Sequence, residues 1–121
     1  MGYEIKVTPL YVHVIYKGVV DSHDLTSIIS RSGFVNSARR LKRVIFDYSQ
    51  SEGTNFSEDD IRRLSLLFNL ESNFTDTFVA ISIPKDKEGK EQFNTCKAMI
   101  KSKSWVFEIA DNLAEAIALL E

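Results

Sequence analysis

Leu41-Lys42-Arg43-Val44-Ile45-Phe46-Asp47-Tyr48-Ser49 lies near the middle of the chain, and its reading decides the fold. Val44-Ile45-Phe46 is apolar without alternation, so this short run reads as a strand covered on both faces. It ends on Asp47 and Tyr48, polar groups delivered to a strand terminus. A doubly covered strand implies a parallel sheet with helices packed on it. The flanking segments bear this out as alternating strand and helix patterns.

Upstream, residues 3–8 alternate. Tyr3, Ile5 and Val7 share one face and Glu4, Lys6 and Thr8 the other, as in a half-exposed strand. Pro9-Leu10 interrupts it. Residues 11–16 form a richer strand, with Val12, Val14 and Tyr16 on one face and Tyr11, His13 and Ile15 on the other. The short link predicts an antiparallel pair. Gly18 ends that run, and Asp21-Ser22-His23-Asp24 supplies helix-starting side chains. Leu25, Ile28 and Ile29 continue as a helical stripe, with Gly33 as its stop. The stretch 34–41 fits either a further helix or a packed loop.

Downstream, residues 49–56 read as a loop containing Gly53. Ser57-Glu58-Asp59-Asp60 resembles a capping box, with Ile61, Leu64, Leu67 and Phe68 as the core stripe of the helix that follows. Residues 78–83 form a continuous apolar strand closed by Pro84. The charged run 85–91 reads as a solvated loop, and Phe93, Cys96 and Ile100 repeat at helical spacing. Residues 105–109 make the last strand. Asp111 is expected to cap a final helix that turns Leu113, Ile117 and Leu120 inward. The order predicts an α/β fold: a five-stranded mixed, mostly parallel sheet with an N-terminal antiparallel pair and about four helices, in a single domain over 1–121.

The chain has 121 residues and a formal charge of −2, with 44% hydrophobic and 26% charged residues. That balance argues against nucleic-acid binding, which needs a basic footprint. One cysteine excludes a disulfide framework. The N-terminus lacks an apolar signal core, and no apolar run reaches the roughly 18–20 residues that span a bilayer. The expectation is a cytoplasmic domain without a transmembrane segment. Asn55-Phe56-Ser57 and Asn73-Phe74-Thr75 then match the glycosylation pattern by chance.

Together, the element order, the stretch 41–49 and the closing Val106-Phe107-Glu108-Ile109-Ala110-Asp111-Asn112-Leu113-Ala114-Glu115-Ala116-Ile117-Ala118-Leu119-Leu120 resemble the STAS-like group. Within it, they are similar to the SpoIIAA-like proteins, named after an anti-sigma-factor antagonist. The resemblance implies the fold above and a role in binding or regulation. Antagonists of that kind carry Asp-Ser-Ser-Gly before the following helix, and the first serine is phosphorylated. The matching tetrapeptide is Asn55-Phe56-Ser57-Glu58, where Ser57 aligns with the second serine. A one-residue shift in the loop moves Ser57 onto the phosphorylated position. Glu58, Asp59 and Asp60 would repel a phosphate there, and an N-cap role alone accounts for the residue.

The other chemistry-bearing residues point to no catalytic centre. His13 lies mid-strand on an apolar face and reads as structural. His23 stands between Asp21 and Asp24 at a helix start, with no second histidine or cysteine nearby in the sequence to complete a metal site. Cys96 reads as a small buried hydrophobe. Asp47 lacks the acidic pair and the lysine that a receiver-domain phospho-acceptor needs. Catalytic, cofactor and metal residues are therefore all expected to be none.

Arg39, Arg40, Lys42 and Arg43 form a basic cluster, either an anion contact or a solvated turn. Leu66 and Leu70 project nearly opposite Ile61, Leu64 and Phe68 on an ideal helix, with Phe74 close behind. That second apolar face suits a protein partner, a homodimer, a neighbouring helix or a ligand. The leading reading is a non-enzymatic STAS-like module that docks a protein partner or itself through the helix 57–69 and the loop before it. The alternative is a small carrier of a lipid or other apolar molecule, its cavity lined from thirteen aromatic residues. A phosphoregulated antagonist-like switch at Ser57 is the minor alternative.

Overall fold

The computed structural model describes residues 2–73, 77–101 and 104–121. The elements in chain order are β1 (Tyr3–Val7), β2 (Val12–Tyr16), β3 (Gly18–Asp21), α1 (Ser22–Ile29), α2 (Ser32–Leu41), β4 (Arg43–Asp47), β5 (Ser51–Asn55), α3 (Glu58–Glu71), β6 (Phe78–Ile83), α4 (Lys87–Met99), β7 (Trp105–Ile109) and α5 (Leu113–Leu120). The main sheet has the order β1-β2-β4-β6-β7. β1 and β2 are antiparallel, and every other pair in this sheet is parallel. This is the expected five-stranded mixed sheet, with β4 at its centre.

The opening hairpin is held at its turn by Thr8, whose Oγ1 accepts from the amides of Leu10 and Tyr11 at 3.2 and 3.0 Å. All five residues of β2 are buried, as its two apolar faces predicted. One face of the sheet packs Val12, Val14, Tyr16, Val44, Ala80 and Phe107 under α1 to α4. The other packs Ile45, Ile81 and Ile83 under Ala116 and Leu120 of α5. Each fully buried isoleucine contributes about 1.5–3 kcal/mol to this layering.

Several local expectations need correction. The segment 49–56 is not a plain loop. It contains β5, which pairs in parallel with β3 to make a separate two-stranded sheet. β5 reads Ser-Glu-Gly-Thr-Asn, without the β-branched alternation that marks a strand. Its pairing with β3, and not its own propensity, makes it extended. Gly53 takes φ 122° in that strand, a backbone region that favours glycine. Gly18 likewise opens β3 at φ 68° where the sequence pattern ended a strand.

Gly33 does not stop a helix but lies in the first turn of α2. The ambiguous stretch 34–41 is helical, which makes five helices among the described residues. α2 ends at Lys42 in the left-handed conformation, φ 60°. The charged run 85–91 is mostly exposed, yet helix begins within it because Asp86 caps the Gly89 amide at 2.9 Å. Asn112, one residue beyond the expected Asp111, caps α5 through the Glu115 amide at 2.9 Å. Leu113 is consequently exposed, and Ala116 and Leu120 carry the inward face.

Candidate functional site

A cavity of about 230 Å³ lies between the main sheet and helices α1 to α4. Its floor is the helix-facing side of β2, β4, β6 and β7, with Tyr16, Phe46, Ala80 and Phe107 among the residues that line it. Ala80 sits in register between Val44 and Phe107, so a methyl group occupies a place flanked by larger side chains. The helices supply Leu25 and Ile28 from α1, Phe34 and Ala38 from α2, Ile61 and Leu64 from α3, and Phe93 and Cys96 from α4. Phe68 packs edge-on to Phe46, Trp105 and Phe107, with ring centroids 6.4, 6.3 and 5.7 Å away. The exposed lining residues Leu70, Lys85 and Asp86 mark where the cavity meets solvent.

Two tyrosines stand side by side on the floor. Tyr16 ends β2, Tyr48 follows β4, and their rings stack with centroids 4.6 Å apart. The β2–β4 ladder matches Ile15 with Asp47, so the next residues of both strands meet. Burial first, and then the neighbouring Tyr48, push the Tyr16 hydroxyl well above its ordinary ionisation range. Burial does the same to Tyr48. Both hydroxyls therefore keep their protons. Neither was singled out by the sequence reading, although the parallel alignment of 12–16 with 44–48 places them together.

The opposite face holds a second polar group that sequence reasoning missed. His13 Nε2 lies 2.9 Å from Asp47 Oδ2, and both residues are buried. Asp47 Oδ1 accepts from the Ser49 amide at 2.9 Å and its hydroxyl at 2.6 Å. Burial raises the Asp47 carboxyl, but the hydrogen bonds from His13 and Ser49 outweigh it and hold the group below the usual range. An ionised carboxylate only accepts, so Nε2 of His13 is the donor. His13, on the apolar face where the sequence placed it, is held by this pairing.

The sequence-predicted site residues are spread over different surfaces. Ser57 caps α3: its Oγ accepts from the Asp60 amide at 3.1 Å, and Asp60 accepts from the Ser57 amide at 2.9 Å. Leu66 and Leu70 are 57% and 60% exposed on α3. Phe74 lies outside the described residues. The four basic residues 39–43 do not converge on one point. Arg39 makes a two-pronged contact with Glu71, joining α2 to α3. Arg43 donates to the Leu120 carbonyl at the end of α5, 3.2 Å away. Arg40 is exposed, and Lys42 forms the left-handed end of α2.

His23 is exposed, while Asp21 and Asp24 cap each other's amides at 3.1 Å. Cys96 is buried against the Ser65 hydroxyl at 3.3 Å, and burial pushes its thiol up. No helix among the described residues is long and apolar enough to cross a membrane.

This architecture, a mixed sheet with four helices on one face and one on the other, is a STAS/SpoIIAA-like fold. Solved structures bear that out. The chain is similar to the anti-sigma factor antagonist SpoIIAA in its unphosphorylated form, at 15% identity and a TM-score of 0.55, covering 96% of this chain and 94% of that one. It is also similar to an uncharacterised protein of the DUF3478 family with a SpoIIAA-like fold from Shewanella loihica PV-4. There the identity is 14% and the TM-score 0.58, over 98% of this chain and 92% of that one. No protein-family model matches the sequence, and comparison with curated proteins finds no match.

Proposed function

We propose that this chain is a non-enzymatic STAS-like binding module whose cavity holds a small apolar molecule. The single observation behind this reading is the space of about 230 Å³ bounded by the sheet and four helices and lined almost throughout by aliphatic and aromatic side chains. For scale, an apolar cavity of about 150 Å³ is enough to bind benzene. A two-ring hydrocarbon is thus the natural size of probe.

Trp105 lines the cavity and is the chain's one tryptophan, so its fluorescence reports on an occupant. Titration with tetralin is expected to change that fluorescence saturably. Native mass spectrometry of protein taken from cells is expected to show a bound apolar species. Absence of any saturable response to tetralin would sink the reading.

A second reading, docking of a protein partner or a second copy through α3, is favoured by the exposure of Leu66 and Leu70. The likeness to an anti-sigma factor antagonist also supports a protein partner. Light scattering at high concentration tests the self-association form of it. A strict monomer, unchanged by Leu66→Asp, would remove that form.

A further inference from the structure

Resting on the apolar-ligand reading above, we infer that the occupant is a single-chain monocarboxylate, a fatty-acid-like molecule that lies along β6 with its carboxylate at the cavity mouth against Lys85. The lining changes character from one end to the other. Phe78, Ala80 and Ser82 share one face of β6 and all line the space, which therefore runs about 13 Å along that strand. That length accommodates an extended alkyl chain.

At the N-terminal end of β6 the walls are apolar. Phe78 and Trp105, the first residues of β6 and β7, stack with ring centroids 4.5 Å apart. Ala38 and Leu67, from the later turns of α2 and α3, line the space as well. At the C-terminal end, where open α/β sheets take their ligands, the lining turns polar. Thr54 of β5, Lys85 and Asp86 after β6, and Gln92 of α4 contribute there.

The polar groups at that end offer protons more than they seek them. Thr54 Oγ1 donates to Gln92 Oε1, which leaves the Gln92 amide hydrogens unspent. Asp86 is occupied as the cap of α4, where its Oδ1 accepts from the Gly89 amide and the positive end of the helix offsets its charge. Lys85 makes no ion pair with any of the described residues. A head that only accepts, and is negatively charged, complements the ammonium and the amide. Lys85 is exposed, so a carboxylate beside it keeps water on its outer side and escapes the cost of full burial. The reverse orientation is disfavoured. The charged lining residue at the other end is Glu71, tied to Arg39, and a second carboxylate there meets like charge.

The test titrates decanoate, 1-decanol and decyltrimethylammonium, one tail with three heads, with tetralin alongside. Trp105 fluorescence is the readout, below micelle-forming concentrations. Decanoate is expected to bind about fivefold more tightly than decyltrimethylammonium at low salt, and the gap to narrow at high salt. Lys85→Glu is expected to reverse that order and to leave 1-decanol and tetralin unchanged. Because Lys85 is exposed, this variant changes the charge at the mouth and leaves the core intact.

Equal or tighter binding of decyltrimethylammonium to the natural protein would overturn the carboxylate head, and that comparison needs no variant. Unchanged affinity for decanoate in Lys85→Glu would overturn Lys85 as its counter-charge. Saturable binding of tetralin with no binding of any decyl compound would overturn the extended chain and leave the apolar cavity standing. No response to any of the four would defeat this inference and the reading beneath it together.

Discussion

Asp47 accepts three hydrogen bonds from His13 and Ser49 in a buried setting, so its charge is worth more to the fold than a surface carboxylate. Asp47→Asn is expected to cost about 2 kcal/mol, read from the urea midpoint, because buried donors are left poorly matched. The sign of the pH dependence follows from the direction of the shift. The folded carboxyl lies below its unfolded value, so its stabilisation is complete above about pH 4 and is lost as pH falls through the folded value. The acid limb of stability against pH should be shallower in Asp47→Asn. Ser57 belongs to the same scale. As an N-cap, it should lose about 1 kcal/mol on change to Ala and almost nothing on change to Asn, measured by thermal unfolding.

At the scale of elements, legibility in the sequence divides along physical lines. β2, β4 and β6 were readable because burial on both faces demands unbroken apolar runs. α3 was readable because Ser57 to Asp60 announces its start and Ile61 to Phe68 its core face. β3 and β5 were not, since each is extended mainly because the other is. Gly53→Ala tests that account. No atom crowds its Cβ position, so the cost of about 1–2 kcal/mol comes from φ 122° alone and should appear as a lower melting temperature.

α2 stayed ambiguous because Arg31 at its N-cap makes no side-chain capping bond. Of the candidate site, the exposed Leu66 and Leu70 were readable from helical spacing. The cavity was not, because a void depends on where the sheet and four helices stop short of one another, and no local pattern records that. Leu66→Asp should leave the unfolding midpoint within about 0.5 kcal/mol of the natural protein, as expected for an exposed position.

At the scale of the whole molecule, the sheet is asymmetric. Among the described residues, four helices cover one face with the cavity beneath them, and α5 covers the other with close-packed isoleucine and alanine. Ligand binding should therefore raise the melting temperature in a manner that depends on ligand concentration.

The strand order β1-β2-β4-β6-β7 has a further consequence for how the chain assembles. The main sheet is laid down in the order of the chain from one edge to the other, so each new strand meets a neighbour already made. A nascent chain can thus fold by accretion, without waiting for a late strand to insert between early ones. Trp105 and Phe107 arrive last on the floor, with β7, so the chamber acquires its final wall only once that strand has been made.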